Sequence, residues 1–219
     1  MRVLYGGTFD PVHLGHTAIA QAVADALECQ VNLVPSADPP HRRPPGASAA
    51  QRATMLDLAI GGQRNLLVDR RELGRDGPSY TVDTLAVVRG QLGPDVPVVW
   101  VLGIDSLLEL DSWRDWRRIF SLAHVLGVER PGTCIDREWL SSRAPLVTAE
   151  LAPRWSQPGA LCESACGSYA PLPIRPLRTE SATEVRRRIS AGLPWESMVA
   201  PPVAQYIRDC GLYRTGPGA

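Results

Sequence analysis

Short apolar runs alternate with longer stretches of helical character along this chain. Runs at 2–5, 31–34, 65–68, 97–102 and 123–128 read as strands, and 14–28, 49–61, 80–91 and 113–120 read as helices. That alternation predicts an α/β fold: a Rossmann-like, open, mainly parallel sheet with helices on both faces. Right-handed crossovers then put the loops after the first and fourth strands at the carboxyl edge of the sheet, where ligands bind in open α/β folds. Beyond residue 131 the pattern weakens into a stretch rich in Pro, Gly, Ser and Ala, with a short helix around 136–142 and a strand around 168–173. Helical patterns return at 183–191 and 201–210, the second closed by Gly211, so residues 181–213 read as a helical C-terminal part of a single domain spanning 1–219.

Composition changes this picture little. At 219 residues the chain can bury one good core, and 44% hydrophobic with 21% charged residues is the balance of a globular protein. Twenty-three basic and 23 acidic residues cancel, which gives no support to a general nucleic-acid or anionic-membrane partner. No apolar run approaches the ~20 residues of a membrane span. Arg2 leads straight into a strand, so no signal peptide is expected. The five cysteines, at 29, 134, 162, 166 and 210, contain no Cys-x-x-Cys pair, which predicts reduced thiols in the cytoplasm and no metal site. Residues 35–48 carry five prolines and Arg42-Arg43, a composition that suits either a substrate-covering loop or a solvated connector.

The chemistry concentrates near the start. Gly6-Gly7-Thr8-Phe9-Asp10-Pro11-Val12-His13-Leu14-Gly15-His16 joins the first strand to the first helix. A glycine turn there lets backbone N–H groups approach an anion, and two histidines three apart share a face of the first helical turn, near its positive end. The arrangement suits a polyphosphate. It is neither a Walker A loop nor the Gly-x-Gly-x-x-Gly fingerprint. Asp10-Pro11 reads first as a helix cap followed by proline at the first helical position.

This motif resembles that of the nucleotidyltransferase superfamily related to class I aminoacyl-tRNA synthetases, and within it the bacterial nicotinate mononucleotide adenylyltransferases. Pro39-Pro40-His41, Arg71-Glu72-Leu73, Pro78-Ser79-Tyr80-Thr81, Gly103-Ile104-Asp105-Ser106, Ser112-Trp113, Arg130-Pro131-Gly132 and Ser181-Ala182-Thr183-x-x-Arg186 fall in that family's order. The resemblance covers about residues 2–132 and 179–213, and 133–178 match poorly. It departs from the family at Glu180, where an apolar residue is usual.

The resemblance implies an enzyme of NAD biosynthesis that joins ATP and nicotinate mononucleotide to give nicotinate adenine dinucleotide (deamido-NAD) and pyrophosphate. It implies that His16 and His13 are catalytic, and that Gly7, Thr8, Phe9, His13, His16, Gly103, Asp105, Ser181, Thr183 and Arg186 hold ATP. His41, Thr81, Trp113 and Arg130 would hold the mononucleotide. Mg²⁺ would arrive with ATP, without a dedicated protein site. Arg187 and Arg188 read as solvated or paired surface charges. A helix start at Thr81 favours a carboxylate by roughly 0.3–1 kcal/mol when exposed, which suits nicotinate better than its amide. The competing readings are another mononucleotide or phosphopantetheine adenylyltransferase of the superfamily, and a catalytically silent nucleotide-binding regulator. Monomer and homo-oligomer are both compatible with the sequence.

Overall fold

A computed structural model describes residues 1–37, 45–75, 77–129, 133, 135–175 and 178–214. Six described strands form one parallel sheet: β1 (Arg2–Gly7), β2 (Val31–Pro35), β3 (Leu66–Val68), β4 (Val98–Gly103), β5 (His124–Val128) and β6 (Tyr169–Leu172), in the order β3-β2-β1-β4-β5-β6. Apolar side chains leave these strands on both sides, which is why each reads as a nearly continuous hydrophobic run.

Val3, Tyr5, Val99 and Val101 face one core, where α1 (Leu14–Ala26), α2 (Ala49–Ile60), α8 (Ala182–Ser190) and α9 (Pro201–Asp209) pack. Leu4, Val98, Trp100 and Leu102 face the other. That side is covered by α3 (Thr81–Leu92), α4 (Ile104–Leu108), α5 (Ile119–Leu122), α6 (Arg137–Arg143) and α7 (Pro145–Leu151). Each fully buried Leu or Val contributes about 1.5–3 kcal/mol. The two cores therefore outweigh any single surface pair. No described helix is long and apolar enough to cross a membrane.

The strand order places the site. The chain winds outward from β1 to β3, then returns to lay β4 on the opposite side of β1. Tyr5 pairs with Val101, so Gly6 and Gly7 end beside Leu102 and Gly103 at the carboxyl edge. This is the switch point of a doubly wound sheet, where the two outgoing loops diverge and leave a crevice. Gly6 is needed there: a Cβ would lie 2.2 Å from Cζ2 of Trp100, whose indole fills that space.

One expected element is corrected. The helix expected over 113–120 begins only at Trp116, as a 3₁₀ turn (Trp116–Arg118) that runs into α5, and a separate 3₁₀ turn at Leu110–Ser112 precedes it. Asp115 takes the left-handed conformation (φ 49°), which ends any continuous helix. Within the expected range the buried positions are Trp116, Ile119 and Phe120. The short α4, directly after β4, is an element the sequence pattern does not announce.

Candidate active site

The loop between β1 and α1 is held from within. Phe9 is buried and left-handed (φ 51°), a conformation that costs a bulky residue about 1–3 kcal/mol. Edge-on ring contacts to Tyr5 (5.6 Å between centroids) and His16 (5.0 Å) hold it there. His13 caps α1 and His16 lies in the first turn, with the two imidazoles stacked at 3.7 Å. The backbone N–H of His13 donates to Nδ1 of His16 (3.3 Å). Nδ1 of His16 is thus the acceptor, and Nε2 is left as the donor of that ring. Gly15 leaves room for this stack, because a Cβ there would sit 3.0 Å from the His13 ring and press it by a few tenths of an ångström. The glycine in His-x-Gly-His therefore has a packing cause.

Asp10 does not cap a helix beginning at Pro11, as the sequence suggests, because α1 starts at Leu14. Its carboxylate instead accepts from the amides of Gly46 (2.8 Å) and Ala47 (3.1 Å) and from the Tyr213 hydroxyl (2.8 Å). Burial and the adjacent Asp10 carboxylate push the Tyr213 phenol well above its ordinary range, so it stays a donor. Arg186 reaches across from α8: its Nη1 donates to the Asp10 carbonyl and lies 3.8 Å from Oδ2. The two motifs expected to meet at phosphate, residues 6–16 and 181–186, are thus in contact in the fold.

Arg52 completes this cluster. It is 1% exposed and donates to the carbonyls of Thr8 (2.7 Å), Ala37 (3.0 Å) and Ala47 (3.3 Å). Burial lowers its pKa, and the facing Asp10 offsets part of that. One guanidinium therefore fixes the glycine loop, the end of the segment after β2 and the entry to α2.

A cavity opens at the switch point. Gly7, Thr8, Thr81, Gly103 and Trp113 line it together, although they are distant in sequence. Thr81 is the first residue of α3, so the start of that helix is part of the cavity's lining. Ser79 accepts from the Ala37 amide (3.2 Å). Glu72 is buried in the wall and accepts from Thr84 Oγ1 (2.6 Å) and from Ser79. Burial raises its pKa, and these hydrogen bonds counter the rise.

The remaining expected residues, Phe9, His13 and His16 among them, are not in the lining of this cavity. Asp105 is an exposed residue in the first turn of α4, at the same sheet edge. Ser181 caps α8 by accepting from the Glu184 amide (3.2 Å). Thr183 accepts a longer bond from Arg186 Nη2 (3.4 Å). Arg187 and Arg188 both pair with Glu184, and those bonds hold its carboxyl down at about 2. Glu180 pairs with Arg178 (3.3 Å) and, with His13 and Gly15, lines a second small cavity. His41 and Arg130 lie outside the described residues, as do Arg42 and Arg43.

Sequence reading passed over Arg52, Tyr213 and the role of Glu72. Arg52 did leave a signal: with Leu56 and Ile60 it falls on the inward stripe of α2, where a cation is out of place. Tyr213 left none, since its partner is Asp10, at the other end of the chain.

The family model described as cytidylyltransferase-like matches residues 4–188. A probable nicotinate-nucleotide adenylyltransferase of Stenotrophomonas maltophilia is 49% identical, over 98% of this chain and 97% of that protein. Proteins with the same name are 43% identical in Xylella fastidiosa (97% of this chain, 96% of that one) and 44% in Marinobacter nauticus (99% and 98%). Among solved structures, Plasmodium falciparum nicotinic acid mononucleotide adenylyltransferase complexed with NaAD superposes with a TM-score of 0.74. At 18% identity, covering 96% of each chain, that likeness concerns the fold. With near-full-length relatives above 40% identity, the chain belongs to the nicotinate-nucleotide adenylyltransferase family of the cytidylyltransferase-like proteins.

Proposed function

We propose that this protein transfers the adenylyl group of ATP to nicotinate mononucleotide, forming nicotinate adenine dinucleotide and pyrophosphate in NAD biosynthesis. One observation carries the reading: the glycine loop after β1 and the start of α3 line one crevice at the β1–β4 switch point, and that loop leads directly into the stacked His13–His16 pair at the start of α1. Relatives of nearly equal length carry the name of that activity.

A mononucleotide phosphate oxygen attacks the α-phosphorus of ATP. The new P–O bond forms as the bond to the pyrophosphate oxygen breaks, and pyrophosphate leaves. The attacking phosphate is already ionised, so no general base and no covalent enzyme intermediate is needed. Positioning and charge stabilisation supply the rate. ATP enters as its Mg²⁺ complex, and the metal travels with the phosphates as part of that substrate.

In this reading Gly7, Thr8 and Phe9 present backbone donors to the phosphates, and His16 donates from Nε2 to the charge developing around the α-phosphorus. His13 orients that ring through the stack and its backbone N–H. Gly103 and Asp105 take the ribose of ATP. The Ser181 hydroxyl keeps a proton to donate, and Thr183 and Arg186 complete the polyphosphate site. Arg186 would exchange its contacts on Asp10 for phosphate oxygens, as a guanidinium fork does readily. On the mononucleotide side, the start of α3 at Thr81 takes the pyridine carboxylate, Trp113 walls the ring, and His41 and Arg130 are assigned by family resemblance. We also read the chain as one domain working in the cytoplasm, where the described cysteines, all free, stay reduced.

Pyrophosphate release from Mg²⁺-ATP across a panel of acceptors tests the reading. Nicotinate mononucleotide should be the best acceptor, ahead of nicotinamide mononucleotide and phosphopantetheine. Preference for phosphopantetheine would assign the chain to the neighbouring activity, and silence with all of them would make it a binding protein.

A further inference from the structure

The cavity at the switch point has an unusual charge balance for one that is to receive an anion. Its lining includes two carboxylates, Glu72 and Glu109. Among the described lining residues it has one cation, Arg114. Arg114 follows Trp113, just before the left-handed Asp115, and the two consecutive residues line the same cavity.

The guanidinium of Arg114 lies over the start of α3. Its central carbon is 4.8 Å from the centroid of Tyr80, the cap of that helix, and Nη1 is 3.8 Å from Oδ2 of Asp83 in the first turn. The ion pair is long, and its side chains are 55% and 47% exposed, a geometry in which a pair contributes little and exchanges easily. The stacking on Tyr80 keeps the fork near the helix start without depending on Asp83.

We propose that Arg114 selects the acid over the amide mononucleotide by exchanging Asp83 for the pyridine carboxylate at the start of α3. The inference rests on the function proposed above. A carboxylate offers two acceptor oxygens to the guanidinium fork. A carboxamide offers one acceptor and an NH₂ group, and neither a guanidinium nor the backbone N–H groups of a helix start can accept from that NH₂. Discrimination therefore comes from attraction of the acid and from mismatch with the amide. Arg114 acts on substrate choice and not on the phosphoryl chemistry.

The test is kcat/KM for nicotinate and nicotinamide mononucleotides in the unmodified enzyme and in Arg114→Ala, Arg114→Lys and Asp83→Asn. Arg114→Ala should lower the acid-to-amide ratio about three- to thirtyfold, the value of a charge-assisted contact discounted for exposure. The loss should appear in KM for the acid. Arg114→Lys should recover part of the ratio, since charge returns without the fork. Asp83→Asn should lower KM for the acid, because the competing carboxylate is gone. An unchanged ratio in Arg114→Ala, or an equal loss with both substrates, overturns the inference while leaving the proposed function standing. An unmodified enzyme that forms no dinucleotide from the acid overturns the proposed function and this inference with it.

Discussion

Replacing Arg52 with methionine removes the cation at the junction of the site's loops while keeping most of the side-chain volume. The buried carbonyl of Ala47 and the partly buried carbonyls of Thr8 and Ala37 then lose their donor, and Asp10 loses a nearby positive charge. Leaving a buried acceptor without its donor costs about 1–3 kcal/mol, and three carbonyls, two of them only partly buried, come to about 3 kcal/mol at the low end of that range. Asp10 keeps two amides, the Tyr213 hydroxyl and Arg186 at 3.8 Å, so its own loss adds little. For a chain of this size each kcal/mol moves Tm by about 2–4 °C. A loss of about 3 kcal/mol therefore lowers Tm by about 6–12 °C. Thermal unfolding followed by far-UV circular dichroism measures it. Arg52→Lys should fall between the two, because an ammonium keeps the charge but cannot reach three carbonyls from one plane. Since Thr8 lies in the proposed phosphate loop, KM for ATP should rise in the methionine variant at temperatures where it is fully folded. A Tm within about 2 °C of the unmodified protein, less than one kcal/mol on that scale, would refute the role given to Arg52.

Other consequences are as direct. His16→Ala should lower kcat by roughly 10²–10³-fold, the scale of one lost transition-state donor, with an unchanged circular dichroism spectrum; near-normal turnover would remove His16 from the mechanism. Arg186→Ala should lower kcat/KM for ATP about ten- to a hundredfold, since one charge-assisted contact is worth ~1.5–3 kcal/mol, and Arg186→Lys should recover part; a rise confined to the mononucleotide KM would assign Arg186 to the other substrate. His124 is fully buried, accepts from the Ser168 amide (3.1 Å) and bonds the Ser164 carbonyl through Nε2 (2.9 Å). Burial, and secondarily Arg89, lowers its pKa below 6.5. The unfolded chain therefore takes up a proton in a range where the folded chain does not. The stability this gives the fold is fully present above about pH 6.5 and is lost as pH falls below it. His124→Asn should flatten that part of the Tm-against-pH curve, and an unchanged slope would show that other groups set it.

The fold was legible where strands are buried on both faces and leave long apolar runs, as in β1, β2, β4 and β5. It was less legible over 104–122, where Ile104 and Leu107 on α4, Leu110 on a 3₁₀ turn and Trp116 just after the left-handed Asp115 are all core residues on short elements. Elements this short carry too few periods to be told apart, and only a helix over 113–120 is expected from the pattern. The β1–α1 loop could be recognised because its residues are contiguous. Thr81, Gly103 and Trp113 could be placed in one cavity only through the strand order, which brings β4 back beside β1. Asp10 shows the limit of local reading. Its local signal is a cap before proline, whereas its partners come from Gly46, Ala47, Arg186 and Tyr213, spread across the chain. Arg114 is similar, because nothing in Ser112-Trp113-Arg114 states that the arginine returns over Tyr80.

The central claim is direct transfer between two substrates bound in one crevice. A single-turnover experiment with ATP labelled at the α-phosphorus, Mg²⁺ and nicotinate mononucleotide tests it most directly. The label should pass from ATP to nicotinate adenine dinucleotide in one phase, with an equal amount of pyrophosphate and none on the quenched protein. Label appearing on the protein at a competent rate before the dinucleotide, or release of pyrophosphate without the dinucleotide, would contradict it.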